Sequence, residues 1–252
     1  MKLLLDLGNT RLKWAMHETD AWLAHGAVAW SEPVAERLAQ DWRDLPAPDA
    51  VFGASVVEPA REALVEQCTA TLFAQRPVWL RTPAAACGVR NAYAEPQRLG
   101  VDRFLAMVAA HADGLGACVL AGIGTALTLD ALDADGRHLG GLIAPGPQLM
   151  QQSLLSATAQ VRPGHAGAIV ALADNTADAV VSGCWHAAAA LIERFVVQSA
   201  PRLGGTPTLS LGGGDAAQLA TLLSQPARLS HDSVLRGLAV WAQTQTGASP
   251  IP

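Results

Sequence analysis

Apolar runs interrupted by small polar turns organise this chain. Residues 2–7 are almost continuously apolar, which predicts a short strand buried on both faces. Gly8-Asn9-Thr10 ends it, and the alternation from Arg11 to Ala15 predicts the return strand of a hairpin. Ser31 to Trp42 reads as a helix, with Ser31 as its N-cap and Pro33 in its first turn. A strand at Ala50 to Val57, a helix at Pro59 to Phe73 and a short strand at Pro77 to Leu80 follow. From Leu99 to Ala112 the apolar residues Val101, Phe104, Leu105 and Val108 fall at helical spacing. Asp113-Gly114-Leu115-Gly116 breaks that helix and marks the expected boundary between an N-terminal lobe (1–113) and a C-terminal lobe (114–246).

Beyond the boundary a similar pattern begins again. Ala117 to Ile123 predicts a strand, Gly124-Thr125 a turn, Ala126 to Ala131 a second strand, and His138 to Ala144 a third, stopped by Pro145-Gly146-Pro147. An apolar strand, a glycine turn and a return strand thus occur twice, at 2–15 and 117–131, as expected of two related half-domains. Thr176 to Gln198 reads as a long helix with Val180, Cys184, Ala187, Leu191 and Phe195 along one face. Leu209 to Leu211 is a short strand, Gly212-Gly213-Gly214-Asp215 opens a helix, His231 to Gln243 is a final helix, and 247–252 is a frayed tail. Helix alternating with strand is the α/β signature.

Composition narrows the function. The 252 residues are 50% hydrophobic and 15% charged, enough to bury a sizeable core. The net charge is −5 and no Lys/Arg run stands out, so nucleic acid is not an expected partner. Asp6 breaks the first apolar run too early for a signal peptide, and no apolar run reaches the ~18 residues of a membrane span. The four cysteines form no CxxC pair and read as reduced thiols in a cytoplasmic protein. The seven histidines have no metal-ligand spacing and read as surface or capping residues.

Chemistry gathers at the turns. In Asp6-Leu7-Gly8-Asn9-Thr10-Arg11-Leu12-Lys13 the glycine permits close backbone approach to a ligand. Asn9 and Thr10 add donors, Lys13 adds positive charge, and Asp6 is a magnesium anchor, directly or through water. An ordinary hairpin turn fits the same residues. Gly122 to Asp130 is open to the same two readings, and Gly212 to Asp215 suits either a planar base or a plain loop. Asp102, in the first turn of its helix where the macrodipole favours the ionised form, suits general-base work, and an ordinary helix-start Asp followed by an exposed Arg fits the same residues. Arg103 beside it suits a carboxylate or phosphate. Neither a GxxxxGK[ST] loop nor a complete GxGxxG is present, so three separate glycine turns point to a nucleotide held between two lobes.

In order along the chain, Asp6-Leu7-Gly8-Asn9-Thr10 with Lys13, Gly100-Val101-Asp102-Arg103, Gly124-Thr125-Ala126-x-Thr128-x-Asp130, Gly140-Gly141-x-Ile143-x-Pro145-Gly146, Asn175-Thr176 and Gly212-Gly213-Gly214-Asp215 resemble the type III pantothenate kinase family. That family belongs to the acetate and sugar kinase, heat-shock protein and actin superfamily. The resemblance implies two actin-like (ribonuclease H-like) half-domains with a nucleotide cleft between them. It implies ATP-dependent phosphorylation of pantothenate towards coenzyme A, with Mg2+ or another divalent cation. Asp6, Leu7, Gly8, Asn9, Thr10, Arg11, Leu12 and Lys13 take the place of its first phosphate loop, and Thr125 of a second ATP contact. Asp102 matches the catalytic base. Tyr93, Gly100, Val101, Asp102, Arg103 and Thr176 match substrate contacts, Thr176 reaching the neighbouring subunit's site in a homodimer. The family commonly places an aspartate ligand for K+ or NH4+ where this chain has Gly122, which puts that cation in doubt. A kinase for another small alcohol, and a non-enzymatic regulator of the Bvg accessory factor type, are the alternatives.

Overall fold

A computed structural model describes residues 1–19, 21–159, 161 and 164–245. They form two compact units. The first is Met1–Gly114 together with the segment from Asp232, and the second is Leu115–His231.

The first unit is built on strands β1 (Lys2–Leu7), β2 (Arg11–Glu18) and β3 (Ala21–Ala29), helix α1 (Val34–Asp41), β4 (Ala50–Ser55), α2 (Pro59–Phe73), β5 (Val78–Leu80), the small hairpin β6 (Ala85–Ala86) and β7 (Val89–Arg90), and α3 (Val101–Ala112). Its sheet has the order β3-β2-β1-β4-β5. The β1–β2 and β2–β3 pairs are antiparallel, and β4 and β5 continue in parallel with β1. β1 is buried on both faces, as its composition predicts, and the period of two sorts its side chains. Leu3, Leu5 and Leu7 pack with Leu12, Trp14, Val34, Leu38, Trp42 and Val65, the side covered by α1 and α2. Leu4 packs with Ala15, Phe52, Val101 and Leu105, the side covered by α3.

The second unit repeats this plan with β8 (Cys118–Ile123), β9 (Ala126–Leu132), β10 (His138–Pro145), α4 (Pro147–Ala157), α5 (Thr176–Ser199), β11 (Thr208–Gly212), α6 (Ala216–Ala220) and β12 (Arg228–Ser230). Its sheet order, β10-β9-β8-β11-β12, and its sequence of antiparallel and parallel pairs are those of the first sheet.

Several expectations are corrected. The last helix, α7 (Ser233–Gln245), expected in the C-terminal lobe, belongs with the first unit. Leu235, Leu238, Ala239 and Trp241 fill the α3 side of the first sheet, and Gly237 lets α7 rest on the backbone of Leu105, where a Cβ would collide. β3 is not predicted by the hydrophobic pattern, because only Val28 in it is fully buried and its alternation is faint. α4 begins directly at Pro147, where proline starts a helix instead of only stopping a strand. α1 starts at Val34 with no side-chain cap, so Ser31 is not its N-cap. In α5 the buried stripe runs through Ala177, Val180, Cys184, Ala188, Ile192 and Val196, while Ala187 is exposed and Leu191 and Phe195 are half-buried. That helix is also long and apolar enough to cross a membrane, yet its apolar stripe serves the core of the second unit. Two histidines are not surface residues. His17 is buried beside Trp22, and His138 is fully buried with its Nε2 2.9 Å from Asp130 Oδ1. The four cysteines are free thiols, and burial pushes Cys118 up to about 12. The tail expected at 247–252 lies outside the described residues.

Candidate active site

In the first unit, strand periodicity decides which side chains meet. Asp6 shares the α3 side of β1 with Leu4, and Lys13 lies directly across the hairpin from Asp6, sharing that side with Ala15. The face that carries Asp6 and Lys13 is therefore the one covered by α3 and α7. α3 brings Asp102 to it and the start of α7 brings Asp232. Lys13 Nζ donates to Asp232 Oδ1 at 2.7 Å. Burial pushes the Asp6 carboxyl up to about 7; the negative charges of Asp102 and Asp232 push the same way and Lys13 opposes them. Asp232 was not anticipated from the sequence, because an Asp before a helix ordinarily signals only a cap. Its φ of 48° places it in the left-handed region, which Asp tolerates better than most residues.

Three carboxylates and one ammonium leave this face with an excess of negative charge that suits a divalent cation. Among the described residues no group of three His, Cys, Asp or Glu side chains could hold a metal directly. Magnesium commonly keeps several waters and uses one or two carboxylates plus phosphate oxygens, so the arrangement fits an ion held by Asp6 through water.

Leu7 and Leu12 have no exposed surface and anchor the ends of the turn in the core. Gly8, Asn9 and Thr10 form the turn itself, with the Gly8 N–H donating to the Arg11 carbonyl at 3.1 Å, and Arg11 is exposed at the start of β2.

The segment before α3 gathers a second group. The Asp102 carboxylate folds back to accept the Arg103 N–H at 2.8 Å. It passes so close to Gly100 that a Cβ there would lie 2.5 Å from Asp102 Oδ1. Val101 is buried in the core. Arg103 is also buried, and its guanidinium donates to the Tyr93 hydroxyl at 3.2 Å. Asn91, which the sequence did not single out, positions Tyr93: its Oδ1 accepts the Tyr93 N–H at 3.0 Å and its Nδ2 donates to the Pro96 carbonyl at 3.1 Å.

Thr125 and Thr176 belong to the second unit. Thr125 is exposed in the tight turn between β8 and β9. Its carbonyl accepts the Gly146 N–H at 2.9 Å, and a Cβ at Gly146 would collide with the Gly124 carbonyl. Gly146 thus clasps the turn, which gives the Pro145-Gly146-Pro147 motif a physical purpose. Gly212 ends β11 and Gly213 to Asp215 follow it, with Asp215 accepting from Gln148 at 3.1 Å. Thr176 is exposed at the start of α5, where Asn175 caps the helix by accepting the Asp178 N–H at 3.0 Å. Gly122 pairs with Thr128 across the hairpin, and a Cβ there would meet Thr128 Oγ1 at 2.7 Å.

Comparison with known proteins decides the family. The model described as type III pantothenate kinase matches residues 2–198. The chain belongs to the type III pantothenate kinase family. A curated member from Nitrosospira multiformis is 38% identical over 98% of this chain and 93% of its own length. One from Xanthomonas campestris is 43% identical over 95% and 96%. Solved structures support the fold. A protein described as a Baf family transcriptional activator from Campylobacter jejuni superposes with a TM-score of 0.62 at 21% identity, covering 98% of this chain and all of that one. MreB 5 of Spiroplasma citri, bound to AMPPNP, gives 0.51 at 10% identity over 98% and 97%. The fold is the actin-like α/β fold in two similar domains, as the family resemblance implied.

Proposed function

We propose that this protein transfers the γ-phosphoryl group of ATP to the primary hydroxyl of pantothenate, the first step towards coenzyme A. Membership of the family supports the reaction, and the observation that carries the mechanism is the gathering of Asp6, Lys13 and Asp102 on one sheet face. The backbone turn from Asp6 to Lys13 binds phosphate, and Thr125 matches the family's further ATP contact. Lys13 meets a phosphate oxygen as a point charge. Bound magnesium supplies neutralisation of the phosphate oxygens, with Asp6 as its protein anchor through water. Asp102 orients the pantothenate hydroxyl and accepts its proton as that oxygen bonds to the γ-phosphorus and the bond to the ADP oxygen breaks. Catalysis is mostly positioning and electrostatics.

Arg103, held by Tyr93, is placed to recognise the pantothenate carboxylate, with the Gly100 and Val101 backbone beside it. Thr176 reaches the substrate of a partner subunit. Its exposure, and that of Leu142 and Ile143 on the edge strand β10, support a homodimer. Gly122 has no side chain to ligate a monovalent cation, and equal turnover in sodium and potassium is the outcome expected if that ligand is lost. The reaction is that of a cytoplasmic enzyme, where ATP is at hand.

The deciding experiment is ADP release with magnesium and ATP, with and without pantothenate. Release that depends on pantothenate supports the reading. Release with another small alcohol alone reassigns the acceptor, and no acceptor-dependent release leaves a regulator. Mixing Asp102→Asn subunits with Thr176→Val subunits tests the shared site: recovered activity in the mixture supports a partner role for Thr176, and its absence overturns it.

A further inference from the structure

The turn Gly8-Asn9-Thr10 is held from behind by two side chains that neither the motifs nor the family comparison singled out. The Trp30 indole N–H donates to the Gly8 carbonyl at 2.7 Å. Arg61 Nη1 donates to the Asn9 carbonyl at 3.2 Å. The Trp30 backbone N–H takes the third carbonyl, that of Thr10, at 3.2 Å. Trp30 and Arg61 also support each other, since the guanidinium lies 4.7 Å from the centre of an indole ring, a cation–π distance. Glu58, just before α2, fixes Arg61 from its other side through a 2.7 Å ion pair.

This arrangement has a direction. Arg61 belongs to α2, which covers the side of the sheet away from Asp6, Lys13, Asp102 and Asp232. Every peptide bond in the described chain is trans, so a carbonyl and the N–H of the next residue point oppositely. With the Gly8 and Asn9 carbonyls drawn towards Trp30 and Arg61, the N–H groups of Asn9 and Thr10 are turned the other way. Successive N–H groups turned to one side are what an anion requires of a loop.

We infer that the stacked Trp30–Arg61 pair positions the phosphate-binding turn, aiming its backbone N–H groups at the nucleotide. This rests on reading Gly8 to Thr10 as a phosphate turn. Both are positioning residues and neither touches the reacting atoms. Losing one hydrogen bond of this kind costs about two- to tenfold in an equilibrium, and the loss falls on the nucleotide alone.

The test uses the full-length protein and three variants. Trp30→Phe keeps a ring against Arg61 but removes the donor. Arg61→Ala changes a partly exposed side chain and is tolerated if the first is not. Trp79→Phe is the control, because it too loses an indole hydrogen bond in the same unit, to Glu66 at 2.7 Å, away from the turn. Calorimetry with magnesium and the analogue AMPPNP reads binding without turnover. Trp30→Phe and Arg61→Ala are expected to weaken binding and raise the KM for ATP by about three- to tenfold. The kcat and the KM for pantothenate stay near those of the parent, and Trp79→Phe leaves nucleotide binding unchanged. Parent-like AMPPNP binding by both folded variants, or equal weakening by Trp79→Phe, overturns the inference. If the parent binds AMPPNP but phosphorylates no pantothenate, weakened binding by the variants still upholds the inference while the substrate assignment falls. A parent that binds no nucleotide overturns both.

Discussion

In the first unit the penultimate residue of the central strand is Asp6, and its partner across the hairpin is Lys13. In the second unit the same two places are held by Gly122 and Thr128. The sheets around them have the same order and the same pairing directions. One copy of the plan thus concentrates charge, with Asp102 and Asp232 added from the helices that cover it. The other keeps a small, nearly uncharged turn clasped by Gly146. Topology sets where a turn lies, whereas the chemistry of that turn depends on one or two side chains on the correct face. A duplicated fold can therefore divide labour, charge handling in one copy and close backbone approach in the other.

The largest effect that would sharpen this contrast is expected at Asp102. Asp102→Asn should fold and bind nucleotide but lose about 10²–10⁴-fold in turnover, the usual contribution of a general base. Acceptor-dependent ADP release by the purified variant measures it, and near-parental turnover would remove Asp102 from the mechanism. Asp6 comes next. Its carboxyl titrates near 7 in the free protein, above the ordinary value of about 4. The folded state therefore holds a proton that the unfolded chain has already released between those pH values, and its stability falls as pH rises through that window. Asp6→Asn should remove roughly 1–3 kcal/mol of that decline. Chemical denaturation from pH 4 to 8 checks it, and parallel curves for variant and parent would refute the assignment. The magnesium dependence of the same variant should weaken as well.

On the other side of the comparison, Gly146→Ala should cost about 1–3 kcal/mol, because the obstacle is the Gly124 carbonyl, a backbone atom that cannot swing away. It should also raise the KM for ATP, since the Thr125 turn must shift. A stable variant with parental KM would show that the clasp is incidental. The smallest effect is the exchange of sodium for potassium, which should leave the rate unchanged within error. A clear preference for potassium would mean that the second unit handles a cation without Asp at position 122.

Much of the fold was legible in the sequence because core strands and amphipathic helices carry strong patterns. β1, β8, α2 and α5 were recognised within a residue or so. β3 and β12 carry no such pattern because they bury little, only Val28 being fully buried in β3 and no residue in β12, whereas the other edge strands, β5 and β10, are legible from their apolar residues and flanking turns. The residues proposed for the site inside local motifs, such as Asp6, Lys13, Asp102 and Thr125, stand out in the sequence because glycine turns and helix starts constrain their neighbours. Asp232, Trp30 and Arg61 do not, since each acts on a segment well removed in sequence; Asn91 acts on Tyr93 only two residues away, but no glycine turn or helix start marks it.

The sequence by itself determined the duplicated strand–turn–strand plan and the local positions of the turns, since these follow from hydrophobic period and glycine placement over a few residues, and its ordered motifs carried the family resemblance. Only the tertiary structure decided that α7 joins the first unit, that Asp232 meets Lys13 across 219 positions, and that His138 pairs with Asp130 in the core. Such contacts are set by which faces must be buried together when the chain compacts, and nothing in the local spacing of residues records that choice.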